Sequence, residues 1–195
     1  MATLLYVSSS IFGDNGNSSQ LANEFIQRWQ ADNGGTVIRR DVGTEALPHL
    51  SAEHAGAFFT PAEQRSAEQS AIVARSDALI DEVRQADVIV LAVPMYNFGV
   101  PTQLKAWLDQ LARAGVTFRY TENGPQGLLN DKPVTVVAAR GGLYAGTEND
   151  TVTPYIRLFF GFVGITDLSF VFAEGLNMGD DSKEKAMSEA RAALQ

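Results

Sequence analysis

A chain of 195 residues that is 45% hydrophobic can bury one sizeable core, and it is too apolar for intrinsic disorder. Its formal net charge of -8, without a basic stripe, argues against nucleic acid or an anionic membrane as partner. The absence of cysteine removes disulfides, thiolate catalysis and cysteine metal sites together.

Met1 to Val7 lacks a basic leader segment and reads as the approach to a first strand, Leu4–Val7, so a cytoplasmic protein is expected. No apolar run reaches the roughly 20 residues of a membrane span. A polar loop, Ser8 to Asn17, follows. Ser18 or Ser19 is placed to cap a helix whose apolar positions Leu21, Phe25, Ile26 and Trp29 recur at helical spacing, and which ends near Asn33-Gly34-Gly35. Thr36–Asp41 is a second strand. Val42–Pro61, with His49, His54 and Phe58-Phe59, is too long for a plain connection and reads as a lid or insertion. Ala62–Gln85 is one long helical pattern with Ile72, Leu79, Ile80 and Val83 inward. Asp87–Ala92 is a third strand, short and β-branched enough to be buried on both faces. A helix runs from Thr102 through Trp107 to Leu111.

Val116–Tyr120 alternates between Gly115 and Asn123-Gly124-Pro125, the pattern of a small hairpin outside the main sheet. Pro133–Ala139 is the fourth strand, Val152–Val163 an aromatic-rich helix, Thr166–Phe172 the fifth strand and Lys183–Leu194 a last amphipathic helix. Strands alternating with helices predict a single α/β domain over residues 1–195. Five parallel strands in the order 2-1-3-4-5 carry helices on both faces through right-handed crossovers.

In that order the crevice for a ligand lies between strands one and three, at their carboxyl ends. The loop Val93-Pro94-Met95-Tyr96-Asn97-Phe98-Gly99-Val100-Pro101 leaves strand three there. Two prolines stiffen it, and a thioether, two aromatic rings and an amide between them suit a flat, mostly apolar ring with polar edges. The loop after strand one opens a helix, where backbone N–H groups and the helix dipole suit a phosphate, although a simple capped turn has the same composition. After strand four, Arg140-Gly141-Gly142 lets backbone N–H groups approach a ligand closely, with Arg140 as a salt-bridge residue on the rim. Asp41 closes strand two as a ribose-binding acid would, but no G-x-G-x-x-G accompanies it, and a salt-bridged or solvated role is the better reading. His49, Glu53 and His54 lack the spacing of a helical zinc pair, and no G-x-S-x-G elbow is present, so no metal and no triad are expected. The chemistry then falls to a cofactor, and a mononucleotide with a flat ring fits the crevice.

Ser9-Ser10-Ile11 with Ser18, Pro94-Met95-Tyr96-Asn97-Phe98, the run from Ala114 to Pro125, Arg140-Gly141-Gly142 and Phe172-Ala173-Glu174-Gly175 resemble the bacterial FMN-dependent NADH azoreductases, which also reduce quinones. The resemblance spans Leu4 to about Gly175. It implies a flavodoxin-like homodimer with FMN at the dimer interface and NADH, or NADPH, as electron donor. Quinones or azo compounds would be reduced in a ping-pong sequence. Matched to the family's motifs, Ser10, Gly16, Asn17 and Ser18 hold the phosphate. Met95, Tyr96, Asn97 and Phe98 lie along the isoalloxazine, and Ala139, Arg140, Gly141 and Gly142 meet its other edge. Phe118 and Tyr120 match positions that reach a substrate, across the dimer. Phe98, Tyr120 and Phe162 would make a flat slot for an aromatic acceptor, although packing of Phe162 into the core from its helix is the slightly better reading. No side chain acts as nucleophile, since the flavin carries the hydride. The sequence departs from the family at Phe58-Phe59, where some relatives place an arginine for the nicotinamide nucleotide, and at Ala139, where serine is common. The alternatives are a flavodoxin-like electron carrier and a noncatalytic flavin-binding regulator.

Overall fold

The computed structural model describes residues 1–194. Five parallel strands, β1 (Thr3–Ser8), β2 (Thr36–Asp41), β3 (Val88–Pro94), β6 (Val134–Ala139) and β7 (Leu168–Ala173), form one sheet in the order β2-β1-β3-β6-β7. That is the expected order, with the hairpin of β4 (Phe118–Thr121) and β5 (Gly124–Gly127) inserted between the third and fourth main strands. The fold is flavodoxin-like.

Alternation along the strands sorts the two faces. Leu5, Val7, Ile89, Leu91 and Val93 point to one side, where they meet Leu79, Ile80, Trp107 and Phe160. Leu4, Tyr6, Val90 and Ala92 point to the other, against Leu21, Ala22 and Met187. Helices α3 (Ala67–Gln85), α4 (Thr102–Leu111) and α5 (Val152–Val163) therefore cover the first face, and α1 (Asn17–Asn33) and α6 (Asp180–Ala193) the second. The central strands are buried on both sides, as a parallel sheet requires.

Several boundaries differ from the sequence expectation. Helix α1 begins at Asn17 with Gly16 as its N-cap and no side-chain cap, so neither Ser18 nor Ser19 is the capping residue. It ends as expected, on Gly34 at φ 58°, a left-handed position that suits glycine. The loose Val42–Pro61 region holds an extra helix, α2 (Ala52–Phe59), capped by the Ser51 hydroxyl, with Ala57 packed on Ile72 and Val73 in a small separate core. The long pattern after it breaks into a single 3-10 turn, Ala62–Gln64, and α3, which starts at Ala67 because Ser66 and Gln69 form a reciprocal capping box. The last helix starts three residues early, at Asp180, where two aspartates favour the positive helix end.

Candidate active site

The loops after β1, β3, β6 and β7 meet at the carboxyl edge of the sheet. Three of them continue the backbone ladder past their strands: Ser9 N–H donates to Ala92 O at 3.2 Å, Met95 N–H to Ala139 O at 2.9 Å and Arg140 N–H to Ala173 O at 2.9 Å. The Ser9 hydroxyl is also spent on Ala92 O, at 2.7 Å. Ser10 faces the site. Its Oγ accepts the Phe12 N–H at 3.2 Å and lies 3.3 Å from the Tyr96 hydroxyl. Gly16 is pressed against it, since a Cβ there would stand 2.2 Å from Ser10 Oγ.

A cleft of about 230 Å³ opens between these loops. Of the predicted cofactor residues, Ser10, Gly16, Asn17, Met95, Tyr96, Ala139, Arg140 and Gly141 line it. Ser18 and Gly142 lie one residue behind that lining. Ser18 is fully buried, and its hydroxyl has no partner among the described residues. A buried orphan hydroxyl beside the uncapped end of α1 fits a phosphate group at that end of the cleft.

Met95 and Tyr96 also line a second, wider groove of about 670 Å³ with Ile11, Asn97, Val100 and Gln103. Between Tyr96 and Gly99 the chain makes a two-residue reversal closed by two 3.0 Å backbone hydrogen bonds. Its central residues, Asn97 and Phe98, sit at φ 49° and 61°. Asparagine tolerates that conformation and phenylalanine does not, so the loop holds Phe98 at a local cost of about 1–2 kcal/mol. Phe98 is 55% exposed and lines neither the cleft nor the wider groove; it stands edge-on to Tyr144 with ring centroids 5.5 Å apart, and its carbonyl accepts the Thr151 hydroxyl.

Arg140 reaches the cleft through its backbone alone. Its side chain is fully buried rather than on the rim, paired to Asp150 at 2.8 Å and to Glu174 at 3.2 Å. Burial pushes the Asp150 carboxyl up, but the Thr153 N–H, the Arg140 guanidinium and the Thr153 hydroxyl together hold it below the usual carboxylate range.

Of the four acceptor-slot residues, three come together in this chain, without Phe98. Phe118 packs on Phe162 at 4.3 Å and on Tyr120 at 5.6 Å, but none of the three lines the cleft or the wider groove. Phe118 borders a separate apolar pocket of about 180 Å³ with Phe58, Phe59 and Arg113, and the Arg113 guanidinium lies 4.5 Å over the Phe58 ring. Asp41 makes no ion pair among the described residues; its carboxylate accepts the N–H groups of Gly43 and Thr44 and caps the turn after β2. His54 is turned to the Ser51 hydroxyl at 2.8 Å. Among the described residues no group of three or more His, Cys, Asp or Glu could hold a metal ion, and no helix is long and apolar enough to cross a membrane.

Five lining residues were not singled out as cofactor residues: Phe12, Asn15 and Pro94, which stand in loops the sequence marked, and Leu176 and Asn177, which do not. The last two follow β7, whose loop carried no glycine pair or stiffening proline to mark it.

A family model described as a flavodoxin-like fold matches residues 2–195. The FMN-dependent NADH:quinone oxidoreductase of Alcanivorax borkumensis is 64% identical over 192 residues, covering 98% of this chain and 97% of its own. That of Cellvibrio japonicus is 57% identical, covering 100% and 98%. Among solved structures, an azoreductase from Bacillus anthracis superposes with a TM-score of 0.90 at 27% identity, covering 100% of this chain and 97% of its own.

Proposed function

This chain belongs to the family of FMN-dependent NADH:quinone oxidoreductases with a flavodoxin-like fold, and on that premise we propose that it passes hydride from NADH through FMN to quinones and azo compounds in a ping-pong sequence. The observation that carries this reading is one cleft that joins an uncapped helix end, with the orphan Ser18 hydroxyl just behind it, to Pro94, Met95 and Tyr96 where the stiff loop leaves β3 and to Gly141 after β6. When bound, FMN supplies reversible acceptance of a hydride, so the protein needs no nucleophile of its own.

What the chain supplies is position and charge. Ser10, Asn17, Ser18 and the Gly16–Ser18 backbone would hold the phosphate. Met95 and Tyr96 would lie along the ring, and the backbone of Ala139 to Gly142 would meet its other edge. Ala139 lacks the hydroxyl common in the family and offers backbone only. N–H groups aimed at developing negative charge contribute about 3 kcal/mol in other enzymes. Phe98, half exposed on the loop that carries Met95 and Tyr96, would present an aromatic face to a flat acceptor.

The acceptor slot is completed in a homodimer. Phe118, Tyr120 and Phe162 stand together away from this chain's own cleft, and Tyr120 is 74% exposed, which supports their service to the cleft of a second copy. With phenylalanines at 58 and 59 the chain lacks the arginine that some relatives place there, so NADH and NADPH are both to be tried as donors. A cytoplasmic location fits a net charge of -8 and chemistry that uses a nicotinamide donor.

The test is a visible spectrum of purified protein followed by anaerobic addition of one equivalent of NADH. The reading expects flavin bands that bleach within seconds and return on adding a quinone, with parallel double-reciprocal plots. Flavin that stays oxidised with either nicotinamide donor would favour an electron carrier instead.

A further inference from the structure

We propose that Arg140, held by Asp150, Thr153 and Glu174, is a positioning residue that aims the Gly141 and Gly142 amides at the bound ring, an inference that rests on the FMN reading above. Arg140 and Trp107 head the largest fully buried side chains in the protein. The Arg140 guanidinium donates to Asp150 Oδ1 at 2.8 Å, Thr153 Oγ1 at 2.8 Å and Glu174 Oε1 at 3.2 Å, and lies 4.9 Å over the Phe172 ring. Net of desolvation, a buried ion cluster adds little stability, but it fixes geometry well.

Here the geometry fixed is that of the turn after β6. Glu174 Oε1 also accepts the N–H groups of Tyr144 and Ala145, both at 2.8 Å. The carbonyls of Arg140, Gly141 and Gly142 accept from Leu176, Asn177 and Gly175 at 3.0–3.1 Å. The peptide groups of the turn are thus drawn toward the β7 loop, while the N–H groups of Gly141, Gly142 and Leu143 have no acceptor among the described residues. They are the donors left for a ligand, and Arg140 braces the turn from behind without touching the ligand through its side chain. The same brace reaches the opposite wall. Asp150 and Thr153 flank Thr151, whose hydroxyl holds the Phe98 carbonyl, so the start of α5 ties the turn after β6 to the loop after β3.

The test compares wild type with Arg140→Lys, which keeps the charge but lacks the planar fork that reaches three acceptors, and with Thr153→Val, which removes one acceptor. Three quantities are measured: the melting point of the apoprotein, the dissociation constant of oxidised FMN by fluorescence titration, and the midpoint potential of bound FMN against a reference dye. Arg140→Lys is expected to weaken binding of reduced FMN about tenfold more than that of oxidised FMN, a fall of about 30 mV for a two-electron couple. Thr153→Val is expected to give about half that shift, and it decides the matter alone if Arg140→Lys does not fold. Lower melting points and weaker oxidised binding at an unchanged potential would make the role structural only and overturn the inference. Wild type that takes up no FMN would remove the family reading and this inference together; wild type that binds FMN beside variants of unchanged potential removes this inference alone.

Discussion

An alanine at position 16 would place its Cβ 2.2 Å from Ser10 Oγ and 2.6 Å from Ser10 Cβ. The backbone there, φ -67° and ψ 141°, suits any residue, so the whole penalty is contact. Rotating the Ser10 hydroxyl does not relieve it, because the Ser10 Cβ is fixed to the backbone. Either the loop after β1 or the first turn of α1 must move. Overpacking of this kind costs about 1–3 kcal/mol, and each ~1.4 kcal/mol is tenfold in an equilibrium. Gly16→Ala should therefore weaken FMN binding by roughly 5- to 150-fold, less whatever part of the strain appears as lowered stability. The assay is fluorescence titration of apoprotein with FMN, with melting measured in parallel. Gly34→Ala is the control: at φ 58° with nothing within 4 Å of its Cβ, it should lose about 1 kcal/mol of stability and leave FMN affinity alone. Adding Ser10→Gly to Gly16→Ala removes the clashing atoms and should recover stability while affinity stays low, since the phosphate contact proposed for Ser10 is removed with them. Gly16→Ala with wild-type affinity and wild-type melting would refute the claim that these loops are packed to contact.

Asp150 titrates lower in the folded protein than in the unfolded chain, so its contribution to stability is present above about pH 4 and is lost as pH falls through the folded value. Asp150→Asn should flatten the decline of the melting point between pH 6 and pH 3. Leu91→Ala, at the centre of the sheet and fully buried, should cost about 2–5 kcal/mol in urea unfolding while the folded fraction keeps its FMN affinity. Tyr120→Ala, exposed in a single chain, should shift stability by less than about 0.5 kcal/mol and raise the KM for a quinone with little change in FMN binding; an unchanged KM would argue against Tyr120 in the acceptor slot.

The main strands were legible because each is a short apolar run bounded by turn residues, and their order follows from right-handed crossovers. The errors have physical causes. Helix α2 is eight residues with Gly56 inside it, too short for a periodic signal, and it is held by packing on α3 rather than by propensity. The start of α3 was readable in Ser66-Ala67-Glu68-Gln69, a capping-box spacing overrun by the apolar pattern around it. Ser18 and Ser19 have the right chemistry for a cap, yet they are buried in the first turn because Gly16 is already jammed against Ser10. The glycine pair after Arg140 marked a turn that borders the cleft at Gly141, but the burial of Arg140 could not be read locally. Its partner Glu174 lies 34 positions away and becomes a neighbour only when β7 pairs beside β6. The acceptor-slot aromatics carried no signal of their own beyond the family resemblance, and in one chain they form a cluster of their own.

The ladder bonds at Ser9, Met95 and Arg140 make the floor of the cleft an extension of the sheet rather than a set of loops resting on it. Exposing that floor requires neighbouring strands to part, an opening that approaches the free energy of global unfolding. The loops above it, the Tyr96–Gly99 reversal and the segment from Gly141 to Ala145, are held by turn and loop–loop backbone bonds and by side-chain bonds, all outside the sheet ladder. Amide exchange across the site should accordingly divide into two tiers, with the floor protected as long as the core itself and the rim released early. Any change of acceptor preference during divergence can then be absorbed by the rim, while the floor keeps its shape for as long as the sheet exists.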